Sequence, residues 1–222
     1  MALSFPLAKD EFVGTFKLLG STFELGRQRV VSNLTGGEIR TAEVAPALWE
    51  GQMVIASLPH AAGADLAGLL AALEVPGRSF QIYRRSTLSG PVYDPRGALL
   101  SGYTPVIEEF HATDAERLRL SGFPPGYQLA AGDMLGFDYN PGGGTRRALH
   151  QVVQGRNADG TGEMQSFITV APAIRTGAIL GTEVDLIRPH CNAVLVPGSV
   201  NTGRIAPAVR TGMSFSWRQS LR

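Results

Sequence analysis

Apolar and polar positions alternate with a period of two along much of this chain, the pattern of half-buried strands. Trp49, Gly51, Met53 and Ile55 alternate with Glu50, Gln52 and Val54, and residues 12–58 as a whole read as strands. The period then changes. Leu66, Leu69, Leu70 and Leu73 fall at i, i+3, i+4 and i+7, which puts all four on one helix face. Pro59 precedes this run and Pro76-Gly77 ends it, so the spacing predicts a single helix over 60–74. Phe80 and Ile82 open another strand, and a loop rich in turn formers follows through Gly90-Pro91 and Asp94-Pro95-Arg96-Gly97.

A second β-rich segment starts near residue 104. Leu135, Phe137 and Tyr139 alternate in it, as do Met164, Ile168 and Val170 if Ser166 shares their face. Two turn signals lie between these strands, Pro141 to Gly144 and Asn157-Ala158-Asp159-Gly160. The Asp-Gly pair of the second is a favoured hairpin turn because it tolerates positive φ. The clearest strand is the last: Met213, Phe215 and Trp217 face one way, Ser214, Ser216 and Arg218 the other. A closing strand so apolar on one side needs a sheet, and the helix-bearing N-terminal half is a plausible host. The middle then becomes an insertion. Residues 1–103 with 189–222 are expected to form one β domain carrying helix 60–74, and 104–188 an inserted β-rich domain, with Pro/Gly crossing points at Gly102 to Pro105 and Arg188-Pro189. The expected fold class is mainly β with one helix, a β-sandwich-like domain packed with a helix plus a small inserted β domain.

Composition agrees with this picture. A hydrophobic fraction of 44% supports a packed core, and 18% charged residues is too few for a disordered chain. The 27 glycines and 14 prolines of the 222 residues follow no period, which suits many short strands joined by turns. The net charge is +1 without a basic block, so the electrostatic footprint of a nucleic-acid binder is missing. One cysteine, Cys191, excludes an intrachain disulfide and is compatible with assembly in a reducing cytoplasm. Met1 to Glu11 lacks the basic and apolar regions of a signal peptide. The longest apolar run, around Leu66 to Leu73, falls short of the roughly 20 residues that span a bilayer. A soluble protein without a membrane segment is expected.

Candidate chemistry is sparse. His60, His111, His150 and His190 are dispersed without metal-ligand spacing. His190-Cys191 pairs a nucleophile with a base in sequence, but neighbours on a strand point to opposite faces. Gly142-Gly143-Gly144-Thr145 lacks the lysine of a phosphate loop and continues into Arg146 and Arg147, so a hairpin tip is the better reading. The 157–162 loop has too few carboxylates for calcium. Glu108, Glu109, Asp114 and Glu116 beside Arg117 and Arg119 read as a solvated face. Trp49, Trp217, Phe215, Tyr83, Tyr93 and Tyr103 could floor a sugar site, although core packing explains Trp49 and Trp217 better. One pattern recurs at unequal spacing: Val44-Ala-Pro-Ala-Leu-Trp-Glu-Gly51, Val170-Ala-Pro-Ala-Ile-Arg-Thr-Gly177 and Ile205-Ala-Pro-Ala-Val-Arg-Thr-Gly212. Reused strand-edge chemistry accounts for it, with a duplicated interaction element as the sharper alternative. No catalytic, cofactor-binding or metal-binding residue is nominated, and no cofactor is expected.

The layout resembles a family. It opens on Met1-Ala-Leu-Ser-Phe-Pro-Leu7, runs through a strand–helix–strand unit ending Pro76-Gly-Arg-Ser-Phe-Gln-Ile-Tyr83, and carries a β insert with Asn157-Ala-Asp-Gly-Thr-Gly162 and Phe167-Ile-Thr-Val-Ala-Pro172. It closes on Val196-Pro-Gly198 and Ser214-Phe-Ser-Trp217. Taken together, and over most of the chain, this is similar to the distal tail proteins of long-tailed (siphovirus-like) bacteriophages and phage-like gene transfer agents. The resemblance implies a virion structural protein without catalytic residues: a homo-oligomeric, hexameric ring joining the tail tube protein to the baseplate hub protein, assembled in the bacterial host cytoplasm. Larger members append a galectin-like domain for which this chain is too short. The loop 84–103, the tip 141–147 and the segment 197–207 are the candidate ring contacts. Other readings are a different small tail protein, such as a tube or terminator protein, a carbohydrate-binding β-sandwich module and, third, a free-standing hydrolase. Because a structural zinc needs about four clustered ligands, elemental analysis of untagged protein is expected to find no stoichiometric zinc or iron.

Overall fold

The computed structural model describes residues 3–33, 36–37, 39–85 and 90–222. In chain order the elements are β1 (Leu18–Ser21), β2 (Glu24–Asn33), β3 (Ile39–Ile55), β4 (Leu58–Pro59), α1 (His60–Leu73), β5 (Phe80–Tyr83), β6 (Val106–Phe110), β7 (Arg117–Ser121) and β8 (Gln128–Leu129). They continue as β9 (Met134–Tyr139), β10 (Arg146–Gln154), β11 (Arg156–Asn157), β12 (Ile168–Ala171), β13 (Val184–Asp185), β14 (His190–Leu195), β15 (Arg204–Ile205), β16 (Val209–Thr211) and β17 (Ser214–Gln219). Strand makes up 43% and helix 7%, so the fold is mainly β, with α1 the only helix among the described residues. Two large sheets curl, one into a half-barrel and one into a near-barrel. No helix among the described residues is long and apolar enough to cross a membrane.

The contacts divide the chain into two units, one of residues 1–80 with 193–220 and one of residues 81–192 with the last two residues. In the first, the sheet runs β1-β3-β17-β14-β5, with β2 also paired to β3. β17 lies between β3 and β14 and is antiparallel to both. Its alternation is realised in full: Met213, Phe215 and Trp217 are buried while Ser214, Ser216 and Arg218 are half-exposed. Trp217 sits opposite Gly51 in the register, and a Cβ added at Gly51 would lie 2.1 Å from the Thr22 carbonyl oxygen and 3.1 Å from the Trp217 ring. Gly51 is therefore the residue that lets strand and indole approach. Phe23 covers the indole at 4.8 Å and reaches Trp49 at 5.4 Å. Phe12, Phe80 and Phe215 form a second aromatic group in the same core.

Helix α1 begins after Pro59, whose missing N–H costs little at a helix start. Gly63, Leu66, Leu70 and Leu73 form its buried face, with Leu69 half-buried beside them. Arg78 donates from Nη1 to the Ala72 carbonyl in the last turn at 2.9 Å. The reading of 12–58 as strands fails over 12–17. That stretch is a series of turns, with Phe12 N–H donating to Ala8 O and Thr15 N–H to Phe12 O. The reason is that Phe12, Val13 and Phe16 are all buried, which adjacent positions of one strand facing a single core cannot achieve.

In the second unit the sheet runs β13-β9-β10-β12-β7-β6. Its two ends meet: Val106 bridges Glu183, Ile107 N–H donates to Thr182 O at 3.0 Å and Val184 N–H to Pro105 O at 2.8 Å. The enclosed core holds Ile107, Leu118, Leu120, Phe123, Leu135, Phe137, Met164, Ile168 and Val170. Ser166 is exposed, so the alternation of this last run starts only with β12 at Ile168.

The division differs from the punctuation-based boundaries, because residues 81–103 and 189–192 group with the middle unit. Two buried carboxylates account for the first of these stretches. Asp133 accepts from Val92 N–H at 2.8 Å, and Asp94 accepts from the N–H groups of Leu99 and Leu100 at 3.1 Å each. Leu100 itself enters the second core.

Trp217→Ala should destabilise the protein by about 3–5 kcal/mol, the range for truncating a fully buried aromatic. Denaturant titration measures it, and a wild-type midpoint would mean that the indole is not the anchor of β17.

Candidate functional site

His190 and Cys191 lie on β14, where the buried positions alternate with half-buried ones. Cys191 is fully buried, and burial pushes its thiol far above the ordinary range, so the pair is not arranged as an activated nucleophile with its base. Gly142 to Gly144 form the tip between β9 and β10, with Gly142 and Gly144 at positive φ and Gly142 N–H donating to Asn140 Oδ1. Arg147 pairs with both Asp138 and Asp185.

The Asp159-Gly160 pair makes no two-residue hairpin. Asp159 Oδ1 accepts from Thr161 N–H and Oγ1 and from Glu163 N–H, while Oδ2 accepts from Gln165 Nε2. These bonds hold the Asp159 carboxyl well below the usual carboxylate range and make it the organiser of its loop. Glu108 and Glu109 both pair with Arg119, and Asp114 accepts from Glu116 N–H, a charged face that is internally matched. Among the described residues no group of three or more His, Cys, Asp or Glu is placed to hold a metal ion. Of the aromatics, Trp49, Tyr83, Phe215 and Trp217 are buried, while Tyr93 and Tyr103 are exposed on the 90–103 loop.

His150 is the most perturbed base in the second unit. It stacks on Phe137 at 5.2 Å, its Nδ1 lies 2.7 Å from Pro172 O and its Nε2 is buried without a partner. Desolvation, reinforced by the Arg175 charge and only partly offset by the Pro172 bond, lowers its pKa to about 4. It lies among core residues and is fully enclosed, which suits a packing role.

The feature that sequence reasoning missed is the β2–β3 ribbon. β17 pairs with β3 only over residues 50–54, and β1 only over 53–55. From Arg29↔Glu43 to Asn33↔Ile39 the two strands pair with each other alone among the described residues. Every described position of β3 from 39 to 44 is exposed. Val30 (59%), Val31 (57%), Ile39 (67%) and Val44 (67%) all face solvent. Neighbouring strand residues point to opposite faces, so Val30 and Val31 give both faces an apolar side chain. The Arg27–Glu43 ion pair at 3.3 Å is exposed and adds little. Such a ribbon, with open edges and no core beneath it, is marginal in water and is a ready template for another chain. A pattern of β-branched residues reads the same whether the partner surface lies in the chain or outside it, so no sequence signal separated the two.

No protein-family model matches this chain, and comparison with curated proteins finds no match.

His150 makes stability depend on pH. Its folded pKa of about 4 lies below the ordinary 6.5, so the unfolded state takes up a proton that the fold refuses. The stabilisation is complete above about pH 6.5 and is lost as pH falls toward 4, on the order of 3 kcal/mol in total. Urea titrations at pH 7 and pH 4.5 should show this loss in the wild type and a smaller one in His150→Gln. Equal losses in both proteins would contradict it.

Proposed function

We propose that this chain is a non-catalytic structural subunit that closes with copies of itself into a ring, of six subunits, at the distal end of a phage-like tail between tube and baseplate hub. The observation that carries the assembly part is the β2–β3 ribbon, which exposes apolar side chains on both faces and open strand edges along its outer half. A ring needs heterologous contacts, in which one surface meets a different surface of the next copy. Main-chain pairing at a strand edge supplies such a contact. The ribbon joins the 141–147 tip and the 197–207 segment as a contact element, and so does the 84–103 loop, of which residues 86–89 lie outside the described residues. The nearly balanced charge of +1 keeps repeated copies from repelling one another strongly. The tail location rests on the resemblance in layout alone.

A carbohydrate-binding module is the second reading, favoured by Tyr93 at 59% and Tyr103 at 46% exposure, with Val92 and Leu99 also exposed on the same loop. A glycan array separates the two readings.

Electron microscopy of the purified protein and of assembled particles tests the first. Six-fold rings are expected, and replacing Arg29–Glu43 by a short glycine turn should abolish them while thermal unfolding of the remainder stays cooperative. The ring reading fails if the chain is present in one or three copies per particle or at the head end of the tail. The role of the ribbon fails if rings survive its removal.

A further inference from the structure

We infer that His150 is a proton-operated latch on the seam between β10 and β12: when its ring takes up a proton, the segment 168–178 parts from β10 while the rest of the closed sheet in the 81–192 unit stays paired. The ladder at this seam stops short. β12 pairs with β10 at Gln151↔Ala171, Val152↔Val170 and Gln154↔Thr169, with a register shift after Val152, and with β7 at Ile168↔Leu118 and Thr169↔Arg117. The next position in the β10–β12 register sets His150 against Pro172, and a proline has no N–H to give to a ladder. There the tie comes from a side chain: His150 Nδ1 lies 2.7 Å from Pro172 O.

A carbonyl only accepts, so Nδ1 carries the proton of the neutral ring and Nε2 is a bare lone pair. Nε2 is buried and has no partner among the described residues. The residue is 2% exposed, and its ring stacks at 5.2 Å on Phe137, its diagonal neighbour on β9. A further proton has only Nε2 to go to. It makes an imidazolium whose new N–H is enclosed without an acceptor, a costly burial of charge. The surrounding charges do not relieve it. Arg175, on the segment that the latch fastens, adds a like charge. β12 carries no ionisable side chain, Asp138 of β9 is paired with Arg147 of β10, and Arg146 stands four residues away at the start of β10. Moving 168–178 off β10 lets water reach the imidazolium and takes Arg175 away from it, so the protonated ring favours the open seam.

The open state uncovers Ile168 and Val170, both fully buried in the closed sheet, together with an edge of β10. An apolar strand edge of this kind is a template for another strand. The same segment also walls a cavity of about 430 Å³ with the β6–β7 turn, which opens with it. The opposite seam is built differently, since β6 and β13 are joined by the backbone bonds of Ile107 and Val184.

Amide hydrogen exchange of the full chain at pH 7 and pH 5, each rate divided by the intrinsic rate of that amide, measures the opening. Val170 N–H, bonded to Glu116 O, and Ile174 N–H, bonded to Ala115 O, report on the seam, while the N–H groups of Ile107 and Val184 are the controls. With a ring pKa of about 4 when closed against 6.5 when open, the opening constant at Val170 and Ile174 should rise about twentyfold from pH 7 to pH 5, and that of the controls should not. His150→Gln keeps an N–H for Pro172 O and takes up no proton in this range, so the rise should vanish. His111 meets Phe167 beside the segment at 5.0 Å, and His111→Gln should keep the rise. Seam and control amides are compared within one molecule, so wild type and His111→Gln decide the matter even if His150→Gln does not fold. The latch is refuted if the ring nitrogen signals at pH 7 place the proton on Nε2, or if seam and control amides respond alike. It is equally refuted if His150→Gln keeps the wild-type rise or His111→Gln loses it.

Discussion

The unit that holds both flanks of the chain depends on the close approach of β17 to β3 at Gly51. An indole of full size lies across the strand at the one position where no Cβ intervenes, and Thr22 closes over the same place from the connection between β1 and β2. Around that contact the sheet is tied by side chains as well as by its ladder. Trp49 N–H donates to the buried Gln219 amide oxygen at 3.1 Å, and Arg218 pairs with Glu50 at 2.7 Å directly across the register. Residues from near the end of the sequence are thereby fixed to residues near position 50. The chain between them can leave and return without loosening the core, which is what makes a second unit between Gln81 and Asn192 tolerable.

The two large sheets treat their edges in opposite ways. In the middle unit β6 and β13 find each other, and the bonds of Ile107 and Val184 satisfy groups that an open sheet would leave to water. In the flanking unit β2 and the first half of β3 run out beyond every other strand and keep both edges open among the described residues. A protein that lived alone would blunt such an edge with a bulge, a proline or a covering loop. Here the register does shift between Gly26 and Gln28 and again between Gln28 and Arg29, with Pro46 opposite the first shift, but from Arg29 to Asn33 the paired strands run on without a further shift. The contrast between a closed sheet and an extended open ribbon in one chain is the physical ground for reading the ribbon as a contact surface.

Much of the architecture was legible because it follows from periodicity. The alternation at 49–55 and 213–217 and the leucine spacing of α1 each report one buried face, and each was found where it was expected. Periodicity is silent about what covers that face. Val30, Val31, Ile39 and Val44 look like core residues in the sequence and are exposed in the fold. Phe12, Val13 and Phe16 look like a strand and are turns, because three aromatic or branched side chains enter one core from a tight coil. The contact-based division falls at Gln81, ahead of the proline- and glycine-rich stretch that reads as a linker. Asp94 and Asp133 convert that same stretch into an ordered loop, and nothing local in the sequence marks a carboxylate that will be buried under backbone N–H groups.

The recurring octapeptide shows how far local chemistry constrains role. Its proline falls at a register shift in β3, just past the end of β12, and in the turn between β15 and β16, three places where a missing N–H costs no ladder bond. The common requirement is therefore backbone accounting, and it is met three times. The residues that follow the proline have three different fates. After Pro46 they carry Trp49 into the aromatic core. After Pro207 they bring Arg210 to the Gly63 carbonyl. After Pro172, whose own carbonyl meets His150, they place Arg175 on an open cavity wall. The octapeptide marks places where a missing N–H is tolerated, and the neighbouring elements decide what the residues after its proline touch.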